Sequence, residues 1–265
     1  MFPFSKEKIM KISKNLNHDP WFKLKILGVL IALLYLFLSW YPYIGRFSAS
    51  LTTPHDLKTV VDDWIPLVPQ IIKIYLALMF FPIAGLIFAF YKKLTALEVA
   101  ALYIAHILLL FSCYAIYLIF PTSAESVMVK ISEWDVANNP ALEAIDWLYR
   151  SSVPYNSFPS YHVAPMVFLL IFLFKKWRTL FWISLPLCVL ISAGAVLTKF
   201  HFFVDVLGGI AMGIFAYYIL YEKIALKYLN DFVRVEKEGN FNKSRVVLKK
   251  SLRTPKKAGQ APQNV

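Results

Sequence analysis

The chain is 265 residues long, with 58% apolar residues, 17% charged residues and a mean hydropathy of +0.57. Soluble domains hold roughly 45–50% apolar and about 25% charged residues, so a water-soluble fold, a disordered chain and a disulfide scaffold are all disfavoured. The net charge of +12 would suggest nucleic acid in a soluble domain. In a chain this apolar it is first a topology signal, and no nucleic-acid partner is expected.

A spanning helix needs about 20 mostly apolar residues. Six stretches answer to that description in chain order: 26–45, 66–90, 96–120, 161–174, 179–198 and 203–221, the fourth being short. The first run is too long for a cleaved signal peptide and is followed by no small-residue cleavage site. The fold class expected is all-α, a polytopic membrane protein with a six-transmembrane-helix bundle over 26–222. A basic segment, 1–25, precedes it, and a basic tail, 223–265, partly disordered, follows. The two cysteines, Cys113 and Cys188, fall inside apolar runs and read as buried thiols.

Orientation follows from the cations. Six Lys or Arg lie in 1–25, two are Lys92 and Lys93, three are Lys175, Lys176 and Arg178, and eleven lie from Lys223 onward. That places twenty-two of the twenty-eight on one side of the bundle. An even number of spans puts both termini on that side, and the positive-inside rule makes it cytoplasmic. Loops 46–65 and 121–160 and the turn 199–202 then face outward.

Two outward helix starts hold the polar residues that need explaining. One is Asn156-Ser157-Phe158-Pro159-Ser160-Tyr161-His162-Val163-Ala164. The other runs from Thr198 through Lys199, Phe200, His201 and Asp205 to Gly208 and Gly209. Helix N-termini present unpaired N–H groups and partial positive charge, which attract anions. Ser160 adds a hydroxyl donor and Lys199 a full positive charge. His201 and Asp205 stand four residues apart, so they share a face if the helix has begun. A carboxylate so placed fixes the tautomer of His201 and raises the basicity of its other nitrogen. That imidazole can attack phosphorus while His162 donates a proton to the leaving oxygen, with no metal or other cofactor required. An aspartate in an apolar helix is itself expensive and usually has a partner. Pro159 and Ser160 read as the start and cap of the fourth helix.

At these residues the sequence resembles the type 2 phosphatidic acid phosphatase superfamily, which includes the vanadium haloperoxidases. Pro159-Ser160-Tyr161-His162 is similar to its second motif, Pro-Ser-x-His. His201 followed four residues later by Asp205 is similar to the end of its third. Asn156–Val163 and Thr198–Gly209, with Asp63–Pro69 and Tyr117–Thr122, look like the inositol phosphotransferase-type branch. The resemblance implies His201 as the nucleophile of a phosphohistidine intermediate, Asp205 as its orienting residue, His162 as general acid and Ser160 as a phosphate ligand. It also implies a six-helix core with the site at one membrane face.

The chain departs from the family pattern twice. The first motif, a Lys followed after six residues by Arg-Pro, is absent, and Ala195 stands where an arginine normally precedes the histidine by six residues. Phosphoryl transfer depends on charge stabilisation, so Lys199 is the first substitute, with Arg150 and Lys73 behind it. The expected activity is that of a membrane lipid phosphatase, of phosphatidic acid or isoprenyl diphosphate type, working at the extracytoplasmic face. The alternatives are a lipid headgroup phosphotransferase and a non-catalytic binding or transport module on the same scaffold. The partners implied are a lipid phosphate or diphosphate and the bilayer, and the oligomeric state is left open. Gly209 and Gly213 read as a close-packing pair. His106, mid-span, reads as a packed, hydrogen-bonded histidine, and His18 and His55 read as loop residues. Glu125, Glu133, Asp135, Glu143 and Asp146 read as a solvated loop face.

Overall fold

The computed structural model describes residues 20–78 and 94–231. Met1–Leu226 form one compact unit and Lys227–Val265 a second, and every helix that builds the site belongs to the first. In order these are α1 (Pro20–Leu38), α2 (Tyr41–Leu51), α3 (Val60–Trp64), α4 (Ile71–Leu78), α5 (Ala96–Ile119), α6 (Glu133–Asn138) and α7 (Pro140–Ser151). Then come α8 (Ala164–Lys176), α9 (Arg178–Leu197) and α10 (Phe203–Phe215), which continues as a π-helical stretch, Ala216–Leu226. Among the described residues there is no β-strand, and two isolated bridges, His55 with Thr122 and Ser123 with Tyr155, tie loops together.

Among the described residues, four helical runs are long and apolar enough to cross a membrane: Leu27–Leu51, Ala96–Ile119, Arg178–Leu197 and Phe203–Asp231. The expected 96–120, 179–198 and 203–221 are among them. The expected 26–45 is not one unbroken helix. It stops at Leu38 and resumes at Tyr41, where Pro42 fits the first turn of a new helix because its missing N–H is unpaired there anyway. Of the expected 66–90, α4 covers 71–78 and 79–90 lies outside the described residues, as do Lys92 and Lys93. The expected 161–174 is realised as α8, only 13 residues long. The segment 1–19, with His18, and the tail beyond 231 also lie outside the described residues.

Large apolar side chains point outward along the long helices, among them Trp182, Ile183 and Val189 on α9 and Leu207, Ile210 and Ile214 on α10. Faces this apolar are untenable in water and suit lipid. Helix α5 is the central post, packed against α1, α2 and the π-helical stretch. Its start is fixed by a reciprocal cap. Glu98 N–H donates to Thr95 Oγ1 at 3.2 Å, and Thr95 N–H donates to the Glu98 carboxylate at 3.0 Å. Glu98 also pairs with Lys176, which brings the end of α8 beside the beginning of α5.

Helix α8 packs on α10 at glycines. A Cβ added at Gly209 would stand 2.7 Å from Ser160 O and 2.8 Å from Val163 Cβ. One added at Gly213 would stand 2.6 Å from both Ala164 O and Val167 Cβ. Gly209 and Gly213 therefore let a backbone approach where no side chain fits, as expected of a small-residue pair.

Candidate functional site

The loop leaving α9 is tightly folded. Thr198 Oγ1 donates to Gly194 O at 2.7 Å, and the N–H groups of Phe200 and His201 both donate to Ala195 O, at 3.3 and 3.0 Å. Lys199 takes a left-handed backbone conformation, φ 57°, which turns the chain so that His201 faces inward. Tyr149 from α7 donates its hydroxyl to Thr198 O at 2.6 Å. Ala195 is fully buried in an apolar cluster with Tyr75, Ile191 and Phe200, so its side chain is part of the packed core.

Asp62, from α3, holds the other end of this loop. One carboxylate oxygen accepts from Thr59 N–H and Thr59 Oγ1, each at 2.7 Å, and the other accepts from Phe203 N–H at 2.7 Å. Its main-chain oxygen accepts from Lys199 Nζ at 2.7 Å. Asp62 is 1% exposed, so a single buried residue caps α3, caps α10 and anchors Lys199. The sequence did carry a signal, the Thr59-x-x-Asp62 capping spacing, but nothing local shows that the carboxylate also reaches residue 203.

The second loop is held with equal care. Asn156, in the left-handed region at φ 66°, donates from Nδ2 to Tyr41 O at 3.0 Å, and Tyr41 returns its hydroxyl to Asn156 O at 3.0 Å. Thr122 Oγ1 accepts from Ser157 Oγ and Phe158 N–H, each at 2.9 Å. Tyr117 on α5 donates to Pro159 O at 2.8 Å. The Phe158–Pro159 peptide is cis. Helix α8 starts at Ala164, not near Pro159 as expected. Residues 161–163 form a turn whose Val163 N–H is taken by Ser160 O, at 3.2 Å, with Ala164 N–H joining at 3.1 Å. Ser160 thus caps through its carbonyl, leaving its hydroxyl free for other work.

These two loops meet. Ser160 N–H donates to Asp205 O at 3.0 Å. His201 Nδ1–H donates to Asp205 Oδ2 at 3.1 Å, and Phe202 N–H donates to the same oxygen at 3.0 Å. That fixes the tautomer: Nε2 of His201 is an acceptor, and His162 Nδ1–H donates to it at 3.0 Å. Ser160 Oγ lies 3.5 Å from the same Nε2. His201 and Asp205 do not share a helix face, because α10 begins only at Phe203. Asp205, in the first turn, reaches back instead. His201 and Asp205 are 2% and 0% exposed, and Asp205 Oδ1 has no hydrogen-bond partner among the described residues.

Of the expected site residues, Ser160, His162, His201 and Asp205 are brought within one cluster. The Lys199 ammonium is anchored on Asp62 O. Burial pulls its pKa below the ordinary lysine value, partly offset by Asp62 and Asp63. Arg150 pairs with Asp146 on the surface at 2.8 Å, and Lys73 is exposed. No group of three or more His, Cys, Asp or Glu among the described residues is placed to hold a metal ion. Cys113 and Cys188 are buried free thiols. His55 stacks on Phe120 at 4.5 Å. His106 is buried as expected, but no hydrogen bond reaches it from the described residues, contrary to the expectation.

A cavity of about 400 Å³ opens beside His162, walled by Leu34, Leu38, Pro165, Met166 and Ile191 and also touching Tyr41, Tyr161 and His106. Its lining is mostly apolar, with the His162 imidazole at the end that meets the cluster of Ser160, His201 and Asp205.

Comparison with known families finds that residues 64–219 match a family model described as PAP2 superfamily. That interval contains all of the clustered residues. No curated protein and no solved structure matches the chain.

Proposed function

This chain belongs to the PAP2 superfamily, whose members suggest phosphatase-type activity, and from that premise we propose that it is a membrane lipid phosphatase acting through a phosphohistidine on His201. The observation that carries the reading is the chain of contacts from Asp205 Oδ2 through His201 to His162 Nδ1, at 3.1 and 3.0 Å. It leaves one lone pair, on His201 Nε2, that is both basic and aimed at a second proton carrier.

In the first step His201 Nε2 attacks phosphorus. An N–P bond forms, the P–O bond to the lipid breaks, and His162, entering this step as the imidazolium, gives one proton to the departing oxygen and is left neutral. Asp205 holds the imidazolium character that develops on His201, as a buried carboxylate does for a histidine base elsewhere. In the second step His162 takes a proton from the incoming nucleophile, the N–P bond breaks, and phosphate leaves with His201 restored. A near-attack nitrogen stands about 3–3.5 Å from phosphorus, so a phosphoryl group cannot fit within the present gap of 3.0 Å between the two imidazoles. Substrate must therefore displace the His162–His201 hydrogen bond, and His162 swings aside to meet the leaving oxygen.

Ser160 Oγ donates to a phosphoryl oxygen. Lys199, with three ammonium donors of which Asp62 O takes one, supplies positive charge from the loop that carries the nucleophile. The reading includes six spans, both termini cytoplasmic, and a site opening to the extracytoplasmic side. Exposed Trp64, Trp134 and Trp147 around the loops support a headgroup-level position for that end. The second-step nucleophile is water in this reading. The likeness of Asn156–Val163 and Thr198–Gly209 to inositol phosphotransferases favours testing an alcohol beside it.

The test is phosphate release from phosphatidic acid or an isoprenyl diphosphate by detergent-purified protein, with and without inositol. Release that vanadate inhibits, and that His201→Ala abolishes, is expected. Headgroup transfer replacing release when inositol is present would move the chain to the phosphotransferase class. Full activity in His201→Ala would end the mechanism.

A further inference from the structure

We propose that His106 is a specificity determinant that binds a carbonyl in the linkage of the lipid substrate, so that an ester- or amide-linked lipid phosphate is preferred over one with bare hydrocarbon or ether linkages. This rests on the phosphatase reading and adds the chemical class of the substrate.

The observation is an unpaired polar group in an apolar chamber. His106 lies near the middle of α5, eleven residues before Tyr117, which is about 16 Å along the helix axis. It is buried, yet its imidazole receives no hydrogen bond from the described residues. It lines the same cavity of about 400 Å³ that His162 lines. Its ring is 6.0 Å from that of Tyr161, the immediate neighbour of His162. Polar side chains at membrane depth are costly unless satisfied, and those that face a cavity mark substrate pathways.

Tyr41 donates its hydroxyl to Asn156 O at 3.0 Å, and Tyr161 Oη is buried without a hydrogen-bond partner among the described residues. His162 is engaged with His201. His106 lines the chamber with an imidazole that no described residue satisfies, and a neutral imidazole always carries one N–H and one acceptor nitrogen. The walls, Leu34, Leu38, Pro165, Met166 and Ile191, suit hydrocarbon. A lipid whose phosphate sits at His162 and His201 runs its chain along these walls. Because His106 adjoins the residue next to His162, the group it meets lies near the phosphate end of the chain, where acyl linkages fall. A prenyl or ether chain offers no carbonyl there and would leave the imidazole unpaired, and unmet buried donors are what make such sites selective.

The test compares two ligands of equal charge and nearly equal size, diacyl phosphatidic acid and its dialkyl-ether analogue. Binding of each to full-length protein in detergent is measured by native mass spectrometry, and phosphate release is measured in parallel. The wild-type protein should bind the diacyl lipid about fivefold more tightly, the worth of one net hydrogen bond. In H106F the ratio should fall to about one, and in H106Q, which keeps a donor, it should be largely retained. A ratio near one in the wild type, or one unmoved by H106F, overturns the assignment. Preferential binding without phosphate release from either lipid would sink the phosphatase reading while leaving His106 in place. Equal binding with release from both would do the opposite.

Discussion

Replacing Gly209 by alanine probes how the fold brings the two histidine loops together. The new Cβ would meet Ser160 O at 2.7 Å and Val163 Cβ at 2.8 Å, and neither a main-chain oxygen nor a β-branched carbon has a flexible end that can retreat. Ordinary van der Waals contact lies at 3.4–4 Å, so the turn 160–163 must withdraw by about 0.7 Å or more. Overpacking of this kind costs about 1–3 kcal/mol. The displacement also falls on His162, whose bond to His201 would stretch from 3.0 Å beyond the usual range of about 2.7–3.2 Å. A shift approaching 1 Å costs up to about a hundredfold in rate. The assay is kcat for phosphate release, with thermal unfolding followed by tryptophan fluorescence. G213A, one turn further from the cluster and clashing with Ala164 O, is the control. It should lose similar stability and much less rate. G209A with wild-type rate and stability would refute the claim that this close approach positions His162.

D205N should lower kcat far more than it raises KM, because the amide no longer fixes the His201 tautomer, and a changed KM with unchanged kcat would argue against an orienting role. D62A removes the acceptor of Thr59 N–H and Phe203 N–H, both in part-buried bonds, and should cost about 0.5–1.5 kcal/mol for each lost bond, read as a lowered unfolding temperature with slower turnover. Lys199 has a folded pKa below its unfolded one, so the unfolded state holds more protons as pH climbs towards about 10.4, and stability should rise over that window. K199M should flatten this rise, and an identical pH profile in the variant would contradict the assignment.

The constellation Ser160, His162, His201 and Asp205 was legible because each pair lies within a short motif whose residue types carry the chemistry. How the motifs are held was not. Asp62 reaches Phe203 and Lys199, and Tyr41 exchanges bonds with Asn156, across stretches of more than a hundred residues, and no local pattern encodes such pairings. The break at residues 39–40 was hidden because hydropathy continues across it, although Pro42 marked a helix start. The late beginning of α8 was missed because Pro159 and Ser160 look like a cap, whereas the Ser160 carbonyl, not its side chain, does the capping. A mid-span histidine suggests a hydrogen-bonded core residue, and the cavity that leaves His106 without a partner among the described residues has no local sequence signal.

Rapid quench of the protein with phosphorus-labelled lipid phosphate, followed by peptide mapping, reads the phosphohistidine on His201 directly. An acid-labile, base-stable phosphate is expected on the peptide carrying His201, formed and discharged at the rate of turnover and absent in H201A. Turnover with no label on His201 at any time, or label that persists elsewhere in H201A, would contradict it.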